Sequence, residues 1–176
     1  MQKTAFDIVA NNNELILFNA EEETKVYHSY WYMEFGKMCA EISDTDQKLV
    51  YHITKKFQFW KWRMVYLIEN AAKEKSILIA QNSRNTIFSI ELPSGVYEIR
   101  VHYRKKKSIY KNDVKIAEFD ETLAEENQIK LLVSDSNEAH VIFLLYVSLL
   151  IGINDFKQKS GFKSQKKLEK NVEAWF

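Results

Sequence analysis

Hydrophobic residues follow two patterns along the chain, and the clearest of them lies near the carboxyl end. Residues 138–151 read EAHVIFLLYVSLLI, where His140 and Ser148 are the only polar side chains after Glu138. A helix that is apolar on every side must be covered by protein or by lipid. The 13 residues from Ala139 to Ile151 would reach about 20 Å, whereas the hydrocarbon layer of a bilayer is about 30 Å thick. We therefore predict a buried core helix at about 137–151.

The residues around this segment predict where the helix begins and ends. Asp135 and Glu138 are spaced as the N-cap and N3 residues of a capping box. Gly152 follows the last apolar residue, where a left-handed residue after a helix is expected. Ser148 should bond the carbonyl of Leu144 one turn earlier.

Most of the preceding chain alternates apolar and polar residues, as half-buried strands do. The segment 92–95 reads Leu-Pro-Ser-Gly, a turn signature that predicts a hairpin. A second tight hairpin is predicted at 110–114, because Asn112 and Asp113 tolerate a positive φ. The longest predicted strand covers 57–68, where Trp60 and Trp62 share one parity with later apolar residues.

About a dozen strands are predicted in all, at a spacing typical of a barrel or a sandwich. Twelve strands closed into a barrel leave an interior too wide for side chains alone, and an all-apolar helix would fill it. The fold class predicted is therefore mainly β, a closed antiparallel barrel of about 12 strands around a buried hydrophobic C-terminal helix. We place this barrel at residues 1–156 and a basic amphipathic tail at 157–176.

Composition supports a packed fold and gives no sign of catalysis. The chain is 46% apolar and 14% aromatic, which argues against disorder. Its one cysteine, Cys39, excludes an intramolecular disulfide and a cysteine-based zinc cluster, and the four histidines lack metal-ligand spacing. We expect a non-enzymatic protein without cofactor or metal. The first residues lack the apolar run of a signal peptide, so the expected location is the cytoplasm.

Three segments resemble the tubby C-terminal-domain-like superfamily, which includes phospholipid scramblases and plant LURP-one-related proteins. They are the hairpin at 109–117, the strand at 128–133 and the apolar run at 139–151. The resemblance covers about 4–154 and is clearest from Ile53 onward. It implies a twelve-stranded closed barrel threaded by a C-terminal helix.

This resemblance also implies a membrane-associated function, because tubby domains bind phosphoinositides and scramblases are associated with lipid movement. The chain departs from scramblases in three respects. It has no cysteine-rich stretch for palmitoylation, no proline-rich N-terminal region and no acidic calcium loop after the helix. These departures argue against scrambling itself.

Basic residues form one dense cluster that could bind anionic lipid. Residues 100–107 contain five Arg or Lys and no acid, whereas residues 1–50 contain four lysines and nine acids. Such asymmetry indicates an anionic partner, although a solvated loop between strands also produces it. The first group comprises Arg100, Arg104, Lys105, Lys106 and Lys107. A second group would join it if its strand lies adjacent, namely Lys55, Lys56, Lys61 and Arg63.

The tail and the aromatic residues are further candidates. The tail carries six lysines and two acids, and one helical face would hold Leu168, Val172, Trp175 and Phe176. This face suits a membrane interface or a partner groove, or it packs back on the barrel. The aromatic residues in 27–35, with Trp60 and Trp62, either line a cavity or form the barrel core, which is the commoner role.

Two principal functions follow from these features. The first is a cytoplasmic module, peripheral to the membrane, that binds phosphoinositides or another anionic lipid surface. The second is a soluble scaffold that engages a protein partner through the tail. A third is a scramblase-like protein anchored by residues 139–153. Nucleic acid is not expected as a partner.

Overall fold

A computed structural model of the chain describes residues 3–102, 106–121 and 128–152. Twelve antiparallel strands close into a barrel, in which each strand pairs with its neighbours in sequence and β1 pairs with β12. The strands are β1 (Thr4–Asn11), β2 (Glu14–Asn19), β3 (Lys25–Glu34), β4 (Lys37–Ser43), β5 (Leu49–Gln58), β6 (Arg63–Asn70), β7 (Lys75–Ala80), β8 (Ile87–Leu92), β9 (Gly95–Val101), β10 (Lys106–Lys111), β11 (Val114–Asp120) and β12 (Gln128–Val133). One helix, α1 (Ala139–Leu150), follows them. The predicted fold class is confirmed.

Helix α1 runs through the interior of the barrel. His140 stacks on Tyr51 of β5, with ring centroids 6.3 Å apart. Tyr146 stacks on Phe119 of β11 at 4.2 Å. Strands β5 and β11 lie six places apart in the closed order of twelve, on opposite sides of the barrel. A single helix that contacts both must lie between them, and ten of its twelve residues are buried.

Alternation along each strand supplies the rest of this core. In β1, for example, Phe6, Ile8 and Ala10 are buried, whereas Val9 between them is 36% exposed. The same period of two recurs in neighbouring strands, so that apolar side chains line the lumen around the helix. Closure of β1 on β12 also leaves no unpaired strand edge.

Both ends of the helix are fixed by side chains of the barrel. The capping box is only partly as predicted: the Asp135 carboxylate accepts from the amide of Asn137 (3.0 Å) and thereby caps a 3-10 turn, Ser136–Glu138, that precedes α1. Glu138 instead accepts from the Tyr97 hydroxyl (2.6 Å) and pairs with Lys111.

At the carboxyl end of α1 the sequence prediction holds. Gly152 has a φ of +82°, the left-handed conformation expected after a helix. The Ser148 hydroxyl donates to the Leu144 carbonyl at 2.8 Å. Lys55 donates to the Ile151 carbonyl at 2.6 Å and so satisfies a terminal acceptor of the helix.

Both predicted hairpins are present. Pro93 and Ser94 connect β8 to β9, while Asn112 and Asp113, with φ of +48° and +65°, connect β10 to β11. The predicted strand at 57–68 is wrong, because β5 ends at Gln58 and β6 begins at Arg63. A 3-10 turn, Phe59–Lys61, and a left-handed Trp62 (φ +47°) reverse the chain between them.

Replacing Leu145 by Ala tests the packing of the helix in the lumen. Leu145 is fully buried, so its truncation leaves a cavity and should lower the free energy of unfolding by about 2–5 kcal/mol. Ile77, which is 48% exposed, provides the control, and Ile77→Ala should cost under about 1 kcal/mol. Denaturant titration measures both, and equal losses would contradict the central position of α1.

Alkaline pH should destabilise the fold through Tyr51. Burial, followed by the charges of neighbouring groups, raises the pKa of Tyr51 from 10.0 to about 12. The unfolded chain then releases this proton at lower pH than the native state, so stability that is present below pH 10 is lost between pH 10 and about 12. Over that window the loss from this group is on the order of 3 kcal/mol. Denaturant titration at several pH values measures this loss. Between pH 10 and about 12 the free energy of unfolding of Tyr51→Phe should fall less steeply than that of the wild type. Equal slopes for the two proteins would show that Tyr51 does not cause the loss.

Candidate interaction surface at one end of the barrel

The described residues of the first predicted basic group, Arg100, Lys106 and Lys107, are not exposed. Lys107 is 8% exposed, pairs with Glu121 and lies 5.5 Å from the Tyr146 ring centroid. Its carboxylate partner also accepts from the Tyr146 hydroxyl at 2.6 Å. Lys107 is thus part of an interior cluster and not of an exposed patch, and its role in lipid binding stays a prediction. Its parity explains the position, because Lys107 is two residues from the fully buried Ile109.

The other described members of this group are engaged in local ion pairs. Lys106 lies 3.5 Å from the fully buried carboxylate of Glu118. Arg100 pairs with Glu98, and its guanidinium lies 4.2 Å from the Tyr110 ring centroid. Arg104 and Lys105 lie outside the described residues. So do the tail positions Leu168, Val172, Trp175 and Phe176.

The second basic group lies on another part of the barrel. Lys55 holds the end of α1, and Arg63 donates from Nε to the Gln58 side chain at 2.8 Å. Lys56 and Lys61 are exposed. Because β7 and β8 separate β6 from β9, the two basic groups do not occupy adjacent strands. The condition under which the second group would join the first, an adjacent strand, is therefore not met.

A cluster of exposed apolar side chains surrounds the second basic group instead. The β5–β6 hairpin carries Phe57, Phe59, Trp60 and Trp62, which are 48%, 65%, 77% and 64% exposed. Three of these rings pack together, since the Trp62 ring lies 5.1 Å from Phe59 and 6.2 Å, edge-on, from Phe57. Trp60 and Trp62 were predicted either as core or as lining of a cavity. Both predictions are wrong, because the 3-10 turn carries these rings out of the barrel wall.

The neighbouring hairpin adds two more exposed apolar residues. Strands β3 and β4 are connected by Phe35 and Gly36, both with positive φ (+45° and +72°). Phe35 is 95% exposed and Met33 is 70% exposed. Strand β4 pairs with both β3 and β5, so the two hairpins are neighbours. The aromatic run at 27–35 is therefore divided, since Trp31 belongs to the core and Phe35 projects from the end.

The two hairpins point from the same end of the barrel. In an antiparallel barrel every connection from an odd to an even strand lies at one end, and the connections at 35–36 and 59–62 are of this type. Helix α1 starts at the opposite end, after β12, and finishes here, where the Ile151 carbonyl meets Lys55. We call this the exit end. The six apolar residues form its aromatic rim: Met33, Phe35, Phe57, Phe59, Trp60 and Trp62.

Charge on the two hairpins of the aromatic rim is predominantly positive. The rim segments 33–38 and 55–63 contain five basic residues and a single acid, Glu34. Among them Lys37, Lys56 and Lys61 are exposed to solvent. An amphipathic surface of exposed aromatic rings and lysines can bind an interface that is apolar below and anionic above.

This surface was not predicted from the sequence, although one signal for it was present. Phe59, Trp60, Lys61 and Trp62 break the strict alternation of a half-buried strand, since apolar residues occupy consecutive positions. A strand with one solvated face would expose some of them. No described helix is long and apolar enough to cross a bilayer.

Comparisons with known proteins give a likeness of structure and none of sequence. No protein-family model matches the sequence, and a search of curated proteins finds no match. Among solved structures, the chain is similar to the X-ray structure of a protein from Arabidopsis thaliana, AT5G01750. The TM-score is 0.55 at 8% sequence identity, over 83% of this chain and 89% of the other. This likeness and the twelve-stranded barrel fit a tubby-like barrel fold.

Proposed function

We propose that this protein binds anionic membrane surfaces through the exit end of its barrel. The aromatic rim carries the proposal, because six apolar side chains project to solvent from two adjacent hairpins. Scattered exposed apolar residues are ordinary on a soluble surface, but a contiguous group indicates an interaction site. Tryptophan is the residue type most typical of the membrane–water interface, where its ring meets acyl chains and its N–H meets water.

Lysines around the rim supply the second component of binding. Lys37, Lys56 and Lys61 are exposed, and each contributes about 1 kcal/mol beside an anionic leaflet. Three such charges alone give weak, salt-sensitive association. Insertion of the rim adds apolar burial, at about 25 cal/mol per Å² removed from water. The proposed interaction therefore combines electrostatic attraction with shallow insertion.

The C-terminal segment extends the same proposal. The described chain ends at Gly152, next to Lys55 at the exit end. Residues 157–176 contain six lysines and two acids, and we propose that Leu168, Val172, Trp175 and Phe176 make a second contact with the same membrane. Two weak membrane contacts on one chain give much tighter binding than either alone.

Membership of the tubby-like superfamily and a phosphoinositide as the preferred lipid are the finer parts of the proposal. The fold likeness and the sequence resemblance support them. The proposal has no catalytic step and places the protein in the cytoplasm, at the membrane surface. If the tail instead engages a protein partner, vesicle binding by the rim will persist when residues 157–176 are deleted, and a pull-down will be lost.

Reversal of one rim charge tests the electrostatic component. Lys61→Glu removes one attraction and adds one repulsion, so affinity for vesicles of phosphatidylcholine and phosphatidylserine should fall about tenfold or more. Lys25→Glu makes the same change at the start of β3, at the opposite end, and should change affinity less than about threefold. Co-sedimentation at low and physiological salt measures both. Equal losses would exclude a dedicated exit end, and no wild-type binding at low salt would refute the proposal.

Tryptophan fluorescence tests insertion of the rim directly. In a Trp175→Phe background, Trp31 is buried and Trp60 and Trp62 are the exposed indoles. Anionic vesicles should shift the emission to shorter wavelength, and the further change of Trp60 and Trp62 to Ala should abolish the shift and weaken binding. Val114 is exposed at the opposite end of the barrel, so Val114→Ala should keep both the emission shift and the vesicle affinity. Vesicle binding without any shift would show that the rim stays in water.

Vesicles that contain a phosphoinositide, compared with phosphatidylserine vesicles of equal surface charge, test the headgroup preference. Tighter binding to the phosphoinositide vesicles is expected, and equal affinity would refute phosphoinositide as the preferred lipid.

A further inference from the structure

Cys39 has an unusual environment on the outer face of the barrel. On the same strand, Ala40 and Ile42 belong to the core and Met38 packs against the core. Cys39 has the opposite parity and is therefore directed away from the lumen. It is nevertheless only 3% exposed. The Cys39 Sγ lies 3.9 Å from the Thr54 hydroxyl of β5. This thiol is thus covered by side chains of adjacent strands.

Two potential metal ligands converge on this thiol. Single ligand atoms of Cys39, His52 and Glu34 all lie within 4.8 Å of one another. Cys39 lies on β4, His52 on β5 and Glu34 at the end of β3, and cross-strand pairing brings them together. Cys39 pairs with Thr54, two residues from His52, and with Tyr32, two residues from Glu34. Because the three residues are far apart in sequence, their spacing forms no metal-binding motif.

The donor set determines the kind of cation. A thiolate sulfur, an imidazole nitrogen and a carboxylate oxygen are the three ligand types that zinc accepts in proteins, at about 2.0–2.3 Å. Tetrahedral ligands at those lengths are about 3.5 Å apart, so the atoms need to approach by about 1 Å. Glu34 is exposed and has several rotatable bonds, so it can move at small energetic cost.

Two carboxylates flank His52 on the neighbouring strands. Glu41 of β4 pairs with His52 in register and accepts from the hydroxyls of Tyr30 and Tyr32, at 2.6 and 2.9 Å. Glu69 of β6 also pairs in register with His52, and its oxygens lie 3.0 and 3.7 Å from Lys73 and Lys75. Both carboxylates add negative charge beside the imidazole, which favours a bound cation.

We propose that Cys39, His52 and Glu34 bind Zn²⁺, with the fourth tetrahedral position open to water. On binding, the sulfur–hydrogen bond of Cys39 breaks, a zinc–sulfur bond forms and the proton passes to solvent. The site joins β3, β4 and β5 on the outside of the barrel. Glu34 lies between the rim residues Met33 and Phe35, but none of the three ligands is one of the six residues of the aromatic rim.

Cobalt substitution of the full-length, chelator-treated and reduced protein tests the site. Co²⁺ should bind at one per chain and give a thiolate-to-cobalt charge-transfer band that Zn²⁺ removes. Cys39→Ser should abolish the band and lower zinc affinity more than about 100-fold, since loss of a neighbouring group alone costs 10–100-fold. His28 of β3 lies outside the cluster, so His28→Asn should leave the charge-transfer band and the zinc affinity unchanged.

A second measurement applies if Cys39→Ser does not fold. His52→Asn keeps the thiol, so zinc should protect Cys39 from alkylation in the wild type and in His28→Asn, but much less in His52→Asn. A wild type without the band, or equal protection in all three proteins, would overturn the proposal.

Discussion

The structure depends on one constraint, which is that helix α1 has no polar face. Ten of its twelve residues are buried, so it needs an apolar partner over its whole circumference. A flat sheet covers one side of a helix only, whereas a closed barrel covers all sides. Twelve strands leave a lumen of suitable width, and their inward positions are correspondingly apolar. At the start of the helix Glu138 pairs with Lys111, and at its end Lys55 donates to the Ile151 carbonyl.

Features set by local sequence could be predicted. The helix follows from a continuous apolar run, and the two hairpins follow from Pro93–Gly95 and Asn112–Asp113, whose residue types suit particular turns. The break at 59–62 could not be predicted in this way. It requires a positive φ at Trp62, a conformation that a bulky residue rarely adopts. The consecutive apolar residues Phe59 and Trp60 disturb the alternation of a strand but do not specify that conformation.

The candidate sites were harder to predict because they depend on register between strands. Lys107 was assigned to a surface by its lysine-rich context, yet its parity with Ile109 places it in the interior beside Tyr146. Cys39 and His52 are separated by 13 positions, and pairing of β4 with β5 alone makes them neighbours. The aromatic rim likewise arises from two hairpins that the sequence separates and β4 joins.

Closure of the barrel has a consequence for how the chain reaches its native state. The first strand pairs with the last, and the helix that fills the lumen follows all twelve strands. Pairing of β1 with β12 is a contact of very high sequence separation, which slows folding. During synthesis, the early strands therefore lack the helix that covers their inner faces until residues 139–150 have left the ribosome. Their apolar faces are open to misassociation in that interval, and chaperones should bind this chain more strongly while it is being made than after its release.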